Sequence, residues 1–482
     1  MEKRLLFALT LLLSSLAQAK ESAEAAKVAS WLRAATAVDA DHAHFGVLGG
    51  LSTVHIGGAT NTIRSSGPAA FYGNPSQLAE AVGALQNRTA TYLPALAQGG
   101  IHWFRDVQNV PWGMVEVQPG TDRFEILDAL VSDAQIAGGR YVGTVMPYAG
   151  WELRAAGYPA SSDAMCQRLF TEDFYYLAFD QRMDVYKDEA AYLRFLAKVV
   201  ERYDGDGIDD MPGLTTPIRT WQIHNEPEGD HCGLFRNNVG AFVRLMKISS
   251  DLIHASCASC QVLNGGIGFP LFIDSLPNPP AGATFWPDFA AAGGANSIDV
   301  IAVHYNNGKD ADHGRIDDFE GLIRRAREIL GGNKAVWVTE FGTIIGNHGQ
   351  FTGLSEPDAA AWFLRFYTAG LAAGAEKFFS DAPAFVDLDG TVLLPFYANK
   401  LLEAKLGGFT TATKLAAGQY RFRVGGRDVY VLWNGVPAGL TGNIVATDMY
   451  GNEQTMPASQ LAPRESSPLI VTTPPPRRRA VR

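Results

Sequence analysis

Two apolar stretches of this chain each end in a glutamate. The first runs from Thr220 to Glu228 and places Glu226 directly after a short strand-like run. The second runs from Ala335 to Gly342 and places Glu340 in the same way. A carboxylate at the end of a buried strand costs free energy unless it is paired or used. The two stretches therefore predict a site with paired carboxylates.

Paired carboxylates can cleave a glycosidic bond. One protonated acid donates its proton to the leaving oxygen, and one carboxylate acts at the anomeric carbon. If Glu226 and Glu340 end the fourth and seventh strands of a parallel barrel, they face each other across its mouth, where such barrels hold their chemistry. A separation of about 5–5.5 Å would let one act as a nucleophile and retain the configuration of the sugar. Each charge would also raise the pKa of the other group.

The elements that must position these glutamates follow an alternating pattern. Apolar runs predict strands at 45–49, 100–105, 140–146, 218–225, 261–265, 298–303, 335–340 and 376–380. Helical spacing separates most of them, and Ser355, an acid three residues later and a proline in the first turn predict one helix start. Eight strands alternating with helices predict an α/β fold, the (β/α)8 TIM barrel.

The pattern changes after Pro395. Four short β runs follow, and Gly425-Gly426 joins the first two as a tight hairpin. We therefore predict a barrel over 20–395 with an N-terminal strap, a small β-sandwich over 396–472, and a disordered Pro/Arg tail over 473–482.

The N-terminus is typical of an exported protein. Lys3 and Arg4 precede an apolar run, and Ala17-Gln18-Ala19 is a small-residue cleavage pattern. Residues 1–19 are therefore a predicted signal peptide, cut after Ala19, which indicates a secreted or periplasmic protein. The alternative is a membrane anchor, but the run is short for a span, and we predict no transmembrane segment.

The net charge and the cysteine content of the chain indicate which partners and which disulfides to expect. The net charge of −10 and the lack of a basic face argue against a nucleic-acid partner. Four cysteines allow three disulfide connectivities, and we favour Cys257 with Cys260 and Cys166 with Cys232. A zinc or redox role for the lone Cys-x-x-Cys is the weaker alternative.

The two glutamate motifs carry a family resemblance. His224-Asn225-Glu226-Pro227 and Thr339-Glu340-Phe341-Gly342 resemble the acid/base and nucleophile signatures of clan A glycoside hydrolases. The strand end Val303-His304-Tyr305 and the C-terminal β region make the chain most similar to family 39, with the family 5 cellulases as a second resemblance. The similarity covers about residues 45–472.

The resemblance implies roles for single residues. Glu226 would be the acid/base, Glu340 the nucleophile, and Asn225 the partner of the sugar 2-hydroxyl. Arg105 and Tyr305 would keep Glu340 ionised. For Arg105 the alternative is a structural ion pair.

His304 would line the floor of the same site. The alternative is a structural histidine whose hydrogen bonds are satisfied within the barrel. Glu228 competes with Glu226 but lies beyond Pro227, which favours Glu226.

The chain departs from the clan at strand eight, where Lys377 to Asp381 contains no tryptophan. Clan A barrels usually have a sugar-stacking tryptophan there, so the departure concerns the substrate more than the reaction. Trp112 and Trp151 are the candidate platforms, with Tyr148 and Trp286 as further ones. For each, packing in the core is the alternative.

An acidic loop suggests a metal site. Asp204, Asp206 and Asp210 are separated by glycines, as at the start of a calcium loop, but the closing glutamate is absent. The alternatives are a structural calcium ion and an acidic surface turn. We expect no cofactor to be required for the reaction.

These observations predict an exported retaining glycoside hydrolase that acts on a polysaccharide or oligosaccharide. The alternative is a carbohydrate-binding or matrix protein that keeps the barrel without turnover. The sugar, the linkage, endo or exo action and the oligomeric state remain open from sequence, because a fold does not specify a substrate.

Overall fold

The structure is a computed structural model. It describes residues 20–35, 43–48, 95–105, 110–147, 188–228, 238–268, 284–306, 313–343, 351–381 and 390–473, with a few positions between these ranges. The predicted signal peptide, Cys166, Cys232, Tyr148 and the tail from residue 474 onward lie outside the described residues.

The core of the molecule is a closed barrel of eight parallel strands. They are β1 (Phe45–Leu48), β2 (Ile101–Arg105), β3 (Arg140–Met146), β4 (Thr220–Ile223), β5 (Gln261–Leu263), β6 (Val300–Tyr305), β7 (Ala335–Phe341) and β8 (Ala375–Asp381). Each strand pairs with the next, and β8 returns to β1 with Phe378 opposite Phe45. All eight predicted strands are confirmed, and Glu226 and Glu340 follow or end the fourth and the seventh.

Helices connect the strands on the outside. They are α1 (Glu125–Ile136), α2 (Glu189–Tyr203), α3 (Val239–Ser256), α4 (Phe285–Ala291), α5 (Ile316–Leu330), α6 (Glu356–Ala372) and α7 (Leu394–Leu406). Asp188, Asn238 and Ser355 cap α2, α3 and α6 by accepting a main-chain N–H three residues later, as predicted for Ser355. Within the described ranges, no helix has both the length and the apolar character that a membrane span requires.

Short elements complete the described chain. The helical ones are Ala25–Lys27, Ser30–Ala34, Trp112–Val115, Gly294–Ser297 and Ala458–Gln460. The short strands are Val110–Pro111, Glu116–Gln118, Thr121–Asp122, Asn347–His348 and Phe351–Thr352. The first two helices form the predicted N-terminal strap, and the indole of Trp31 in it donates a hydrogen bond to the carbonyl of Gly451.

Large side chains fill the interior of the barrel. Trp103, Trp337 and Phe379 are buried there in one cluster, and the two indoles meet edge to face with centroids 5.1 Å apart. The ammonium group of Lys377 lies 4.4 Å from the ring centre of Trp103, in a cation–π contact. Because these side chains close the interior, the polar site is confined to the carboxyl ends of the strands.

A six-stranded antiparallel sheet follows the barrel. Its strands are β9 (Phe409–Ala416), β10 (Gln419–Val424), β11 (Arg427–Leu432), β12 (Asn443–Thr447), β13 (Glu453–Pro457) and β14 (Leu469–Thr472), in the order β9-β10-β11-β14-β12-β13. Gly425 and Gly426 both have positive φ, as the predicted hairpin requires. The predicted boundary at residue 395 falls inside α7, which packs on α6 as the last helix of the barrel.

A buried carboxylate joins the sheet to the barrel. Glu320 of α5 is 3% exposed and accepts hydrogen bonds from Lys414 of β9 and Tyr420 of β10, at 2.5 and 2.8 Å. Both partners come from the sheet, so separating the two units would leave a buried charge without its cation.

The predicted disulfide between Cys257 and Cys260 is confirmed. It closes the turn between α3 and β5.

Glu403 of α7 gives a testable pH dependence. It is 6% exposed, accepts the N–H of His44, and burial raises its pKa to about 7 from an ordinary value of 4.5. Between these values the unfolded chain is ionised while the folded chain keeps its proton, so the free energy of unfolding falls as the pH rises. We expect the free energy of unfolding of Glu403→Gln, relative to that of the wild type, to be higher by roughly 1–3 kcal/mol at pH 8 than at pH 4.5.

Thermal melts of the wild type and the variant between pH 4.5 and 8 measure this difference. Glu328→Gln, at an exposed position on α5, is the matched control and should give a flat difference. A Glu403→Gln effect that is equal at both ends of the pH range would contradict the prediction.

Candidate active site

The backbone at the end of β4 is strained in a way that turns Glu226 toward the barrel mouth. His224 and Glu226 have positive φ values of 69° and 44°, in the left-handed region that side chains other than glycine rarely adopt. The N–H of Glu226 donates to the carbonyl of Gly265 beyond β5, at 2.8 Å. Strained backbone of this kind persists only where its surroundings enforce it, and it clusters at functional sites.

The two predicted glutamates meet. Side-chain atoms of Glu226, His304 and Glu340 lie within 4.8 Å of one another. Nδ1 of His304 is 2.8 Å from Oε1 of Glu226 and 3.7 Å from Oε1 of Glu340. The carboxyl groups of Glu226 and Glu340 are therefore close enough to act on one bond, and His304 lines the floor between them.

Arg105 organises one side of the site. At 1% exposure it donates to Oε1 of Glu340 at 3.2 Å, to the carbonyl of Thr339 at 3.1 Å and to Oδ1 of Asn225 at 2.7 Å. Its Nε donates to Gln222 at 2.9 Å. Gln222 was not predicted, although a glutamine within an apolar strand was the available signal.

Tyr305 does not hold Glu340, which corrects the prediction from the resemblance. Its hydroxyl donates to the carbonyl of Arg315 and accepts the N–H of the same residue. Side chains alternate along a strand, so if His304 faces the mouth, Tyr305 must face the helices. Asn306 then faces the mouth, and its Nδ2 donates to Oε2 of Glu340 at 3.1 Å.

These partners favour the ionised form of Glu340. Burial alone would raise its pKa, but the electrostatic attraction of His304 and Arg105 and the hydrogen bonds from Asn306 and Arg105 bring the pKa below its ordinary value. Glu226 has a side chain that is 32% exposed, compared with 10% for Glu340. The pair is therefore asymmetric, with one enclosed carboxylate and one that opens to the cleft.

Of the predicted tryptophan platforms, Trp112 and Trp286 are buried packing residues, whereas Trp151 is partly exposed and stays a candidate platform. Trp112 is fully buried, stacks on Phe195 at 5.8 Å and donates to Glu116. Trp151 packs edge to face on Trp112 and donates to the carbonyl of Glu116. Trp286 is also buried, at 1% exposure. Aromatic side chains supply large buried areas, and Trp112 and Trp286 serve that purpose here.

The acidic loop after α2 is a tight turn. Side-chain oxygens of Asp204, Asp206 and Asp210 lie within 4.8 Å of one another. Asp210 accepts the N–H groups of Gly205 and Gly207, which folds the turn around its carboxylate. Burial and the charges of the neighbouring aspartates raise the pKa of Asp204, so the negative charges in this loop repel one another.

Comparisons with known proteins identify the fold. No family model and no curated protein sequence matches the chain. A solved family 39 glycoside hydrolase from Bacteroides cellulosilyticus is similar, with 15% identity, a TM-score of 0.52, and coverage of 80% of this chain and 78% of that one. A monomeric β-xylosidase from Caulobacter crescentus has 12% identity and a TM-score of 0.51, over 91% and 97%.

Identities this low show a shared fold. The chain shares its (β/α)8 barrel fold with these two solved glycoside hydrolases, and the predicted resemblance is confirmed at the level of the fold.

The calcium expectation stays a proposal, and its test is thermal. We expect added Ca²⁺ to raise the melting temperature relative to EDTA, because a bound cation would neutralise the repulsion in the loop. In Asp206→Asn the side-chain oxygen can still accept the N–H of Ile208, but one negative charge is removed. This variant should therefore show a smaller rise in melting temperature with Ca²⁺. Asp251→Asn, at an exposed position on α3, is the control; identical melts in Ca²⁺ and EDTA would contradict the proposal.

Proposed function

We propose that the protein is a retaining glycoside hydrolase with Glu340 as nucleophile and Glu226 as acid/base. The observation that supports this most is that one carboxylate oxygen of Glu226 and one of Glu340 lie within 4.8 Å of each other at the barrel mouth. Retaining enzymes hold this pair about 5–5.5 Å apart, whereas inverting enzymes leave about 6.5–9.5 Å for a water molecule. The close spacing favours direct attack by a carboxylate.

The asymmetry of the pair assigns the two roles. Glu340 is enclosed and its pKa is held low, so it is ionised and ready to attack. Glu226 is more exposed, which suits a group that meets the leaving oxygen and later a water molecule. Asn225 presents Oδ1 to Arg105, so its Nδ2 is directed away from that cation and can donate to a sugar 2-hydroxyl.

The reaction then takes two balanced steps. An oxygen of Glu340 bonds to the anomeric carbon as the glycosidic C–O bond breaks, and Glu226 gives its proton to the departing oxygen. Glu226, now a carboxylate, takes a proton from water. The water oxygen bonds to the anomeric carbon, the ester to Glu340 breaks, and the configuration is retained.

Export and substrate class are part of the proposal. The N-terminal segment, together with the Cys257–Cys260 disulfide, supports an oxidising compartment outside the cytosol. The similarity to a β-xylosidase makes aryl β-xylosides the first probes, followed by glucosides, mannosides and galactosides. The competing role, a carbohydrate-binding protein without turnover, predicts no release from any of them.

The central prediction concerns Glu340→Gln. We expect it to abolish release of the aryl group, a loss of roughly 10⁴-fold or more, because the attacking carboxylate is removed. Proton NMR of the first sugar formed by the wild type should show the anomeric configuration of the substrate. Glu465→Gln, at a 74% exposed side chain, is the control. Initial formation of the opposite anomer would exclude the double displacement.

A second prediction separates Asn306 from Tyr305. Asn306→Ala removes a hydrogen bond to an ionised carboxylate, so kcat/KM should fall about 10- to 100-fold. Its acid limb should also move to higher pH, because the pKa of Glu340 rises when the donor is lost. Tyr305→Phe loses the hydrogen bonds of the hydroxyl group to the main chain of Arg315, so it should lower the melting temperature and leave kcat/KM near that of the wild type. Equal kinetic losses in both variants would contradict this assignment.

A further inference from the structure

A glycine-rich segment beyond β5 lies against the acid side of the site. We call residues 265–268 the glycine segment. Its first residue accepts the N–H of Glu226, and Ile267 exchanges main-chain hydrogen bonds with β6, donating to Ala302 and accepting from His304. The segment therefore connects the strained end of β4 to the strand that carries His304.

The two later glycines of the segment leave room for the functional side chains. Gly266 has φ of +81°, and a methyl group built on it would overlap the imidazole of His304. A methyl group built on Gly268 would lie 2.7 Å from Oε1 and 2.8 Å from Cδ of Glu226. The main chain of Gly268 is thus the surface on which the Glu226 carboxyl group rests.

Glu228 fixes that surface from behind. It is fully buried, and its Oε1 accepts the N–H of Gly268 at 2.6 Å. Burial raises the pKa of Glu228 to about 7. Burying a carboxyl group costs free energy unless hydrogen bonds compensate for the lost water, and the bond to the N–H of Gly268 is one of these. Since Glu228 has no exposed surface, it does not touch a substrate in the cleft.

We propose that Glu228 is a positioning residue for Glu226, acting through the main chain of Gly268. The proposal depends on the proposed function, because it concerns the acid step of that reaction. Proton transfer requires the donor within hydrogen-bond reach of the leaving oxygen, and a displacement of about 1 Å can cost about 100-fold in rate.

A purely structural role for Glu228 makes a different prediction. Loss of stability would lower the amount of active protein and reduce turnover of every substrate equally. Misplacement of the acid instead harms substrates with poor leaving groups most, because only these need a proton in the transition state. The dependence on the leaving group therefore separates positioning from folding.

The experiment compares a phenyl glycoside with a dinitrophenyl glycoside of the sugar that the wild type cleaves. We expect Glu228→Ala to lower kcat/KM roughly 10- to 100-fold on the phenyl substrate, with a change of less than about threefold on the dinitrophenyl substrate. Glu228→Gln keeps the acceptor for the Gly268 N–H, so both rates should stay near those of the wild type.

A second variant tests the same contact from the other side. Gly268→Ala places a methyl group against Glu226 and should show the same leaving-group dependence without altering Glu228. Gly332→Ala, where a methyl group meets open space, is the matched control. If Glu228→Ala does not fold, Gly268→Ala decides the question.

Two results would overturn the proposal: equal losses on both substrates in Gly268→Ala and in any folded Glu228→Ala, or unchanged rates on both. A wild type that releases no aryl group from any of the glycosides tested would instead refute the proposed function.

Discussion

The buried guanidinium of Arg105 is the constraint on which the site depends. A cation at this depth costs several kcal/mol unless its donors are matched, and its partners come from two different strand ends. Glu340 supplies the opposite charge, Thr339 a carbonyl, and Gln222 and Asn225 supply amide oxygens. Arg105 thereby helps His304 and Asn306 to keep Glu340 ionised and also orients Asn225, so the proposed nucleophile and the proposed sugar-binding amide are held by one side chain.

The acid side is built by different means. Glu226 contacts no arginine among the described residues; its carboxyl group meets His304 and the main chain of Gly268. The protein distinguishes the two carboxyl groups by placing the guanidinium of Arg105 against Glu340 and leaving the side chain of Glu226 more open to the cleft.

The barrel could be predicted from sequence because each strand is a short apolar run between loops, and this signal is local. The pairing of Glu226 with Glu340 followed from their positions on the fourth and seventh strands. The prediction that Tyr305 holds Glu340 was wrong because the resemblance was applied without the alternation of side chains along the strand, and Asn306, which was not predicted, donates to Glu340 instead. Trp112 is a packing residue because α2 covers it, a long-range contact that no local pattern indicates. The strand Phe409–Ala416 was missed since most of it is exposed.

The left-handed backbone at His224 and Glu226 explains why the supporting residues cluster behind β4. Each such residue costs about 1–3 kcal/mol, so the turn would relax without opposing contacts. The N–H of Glu226 donates to Gly265, and the carboxyl group of Glu228 accepts from Gly268, so both ends of the turn are held by the glycine segment beyond β5. The contacts that hold this strained turn are thus the same ones that fix the position of Glu226, the proposed acid, so a change that relaxes the turn also moves its carboxyl group.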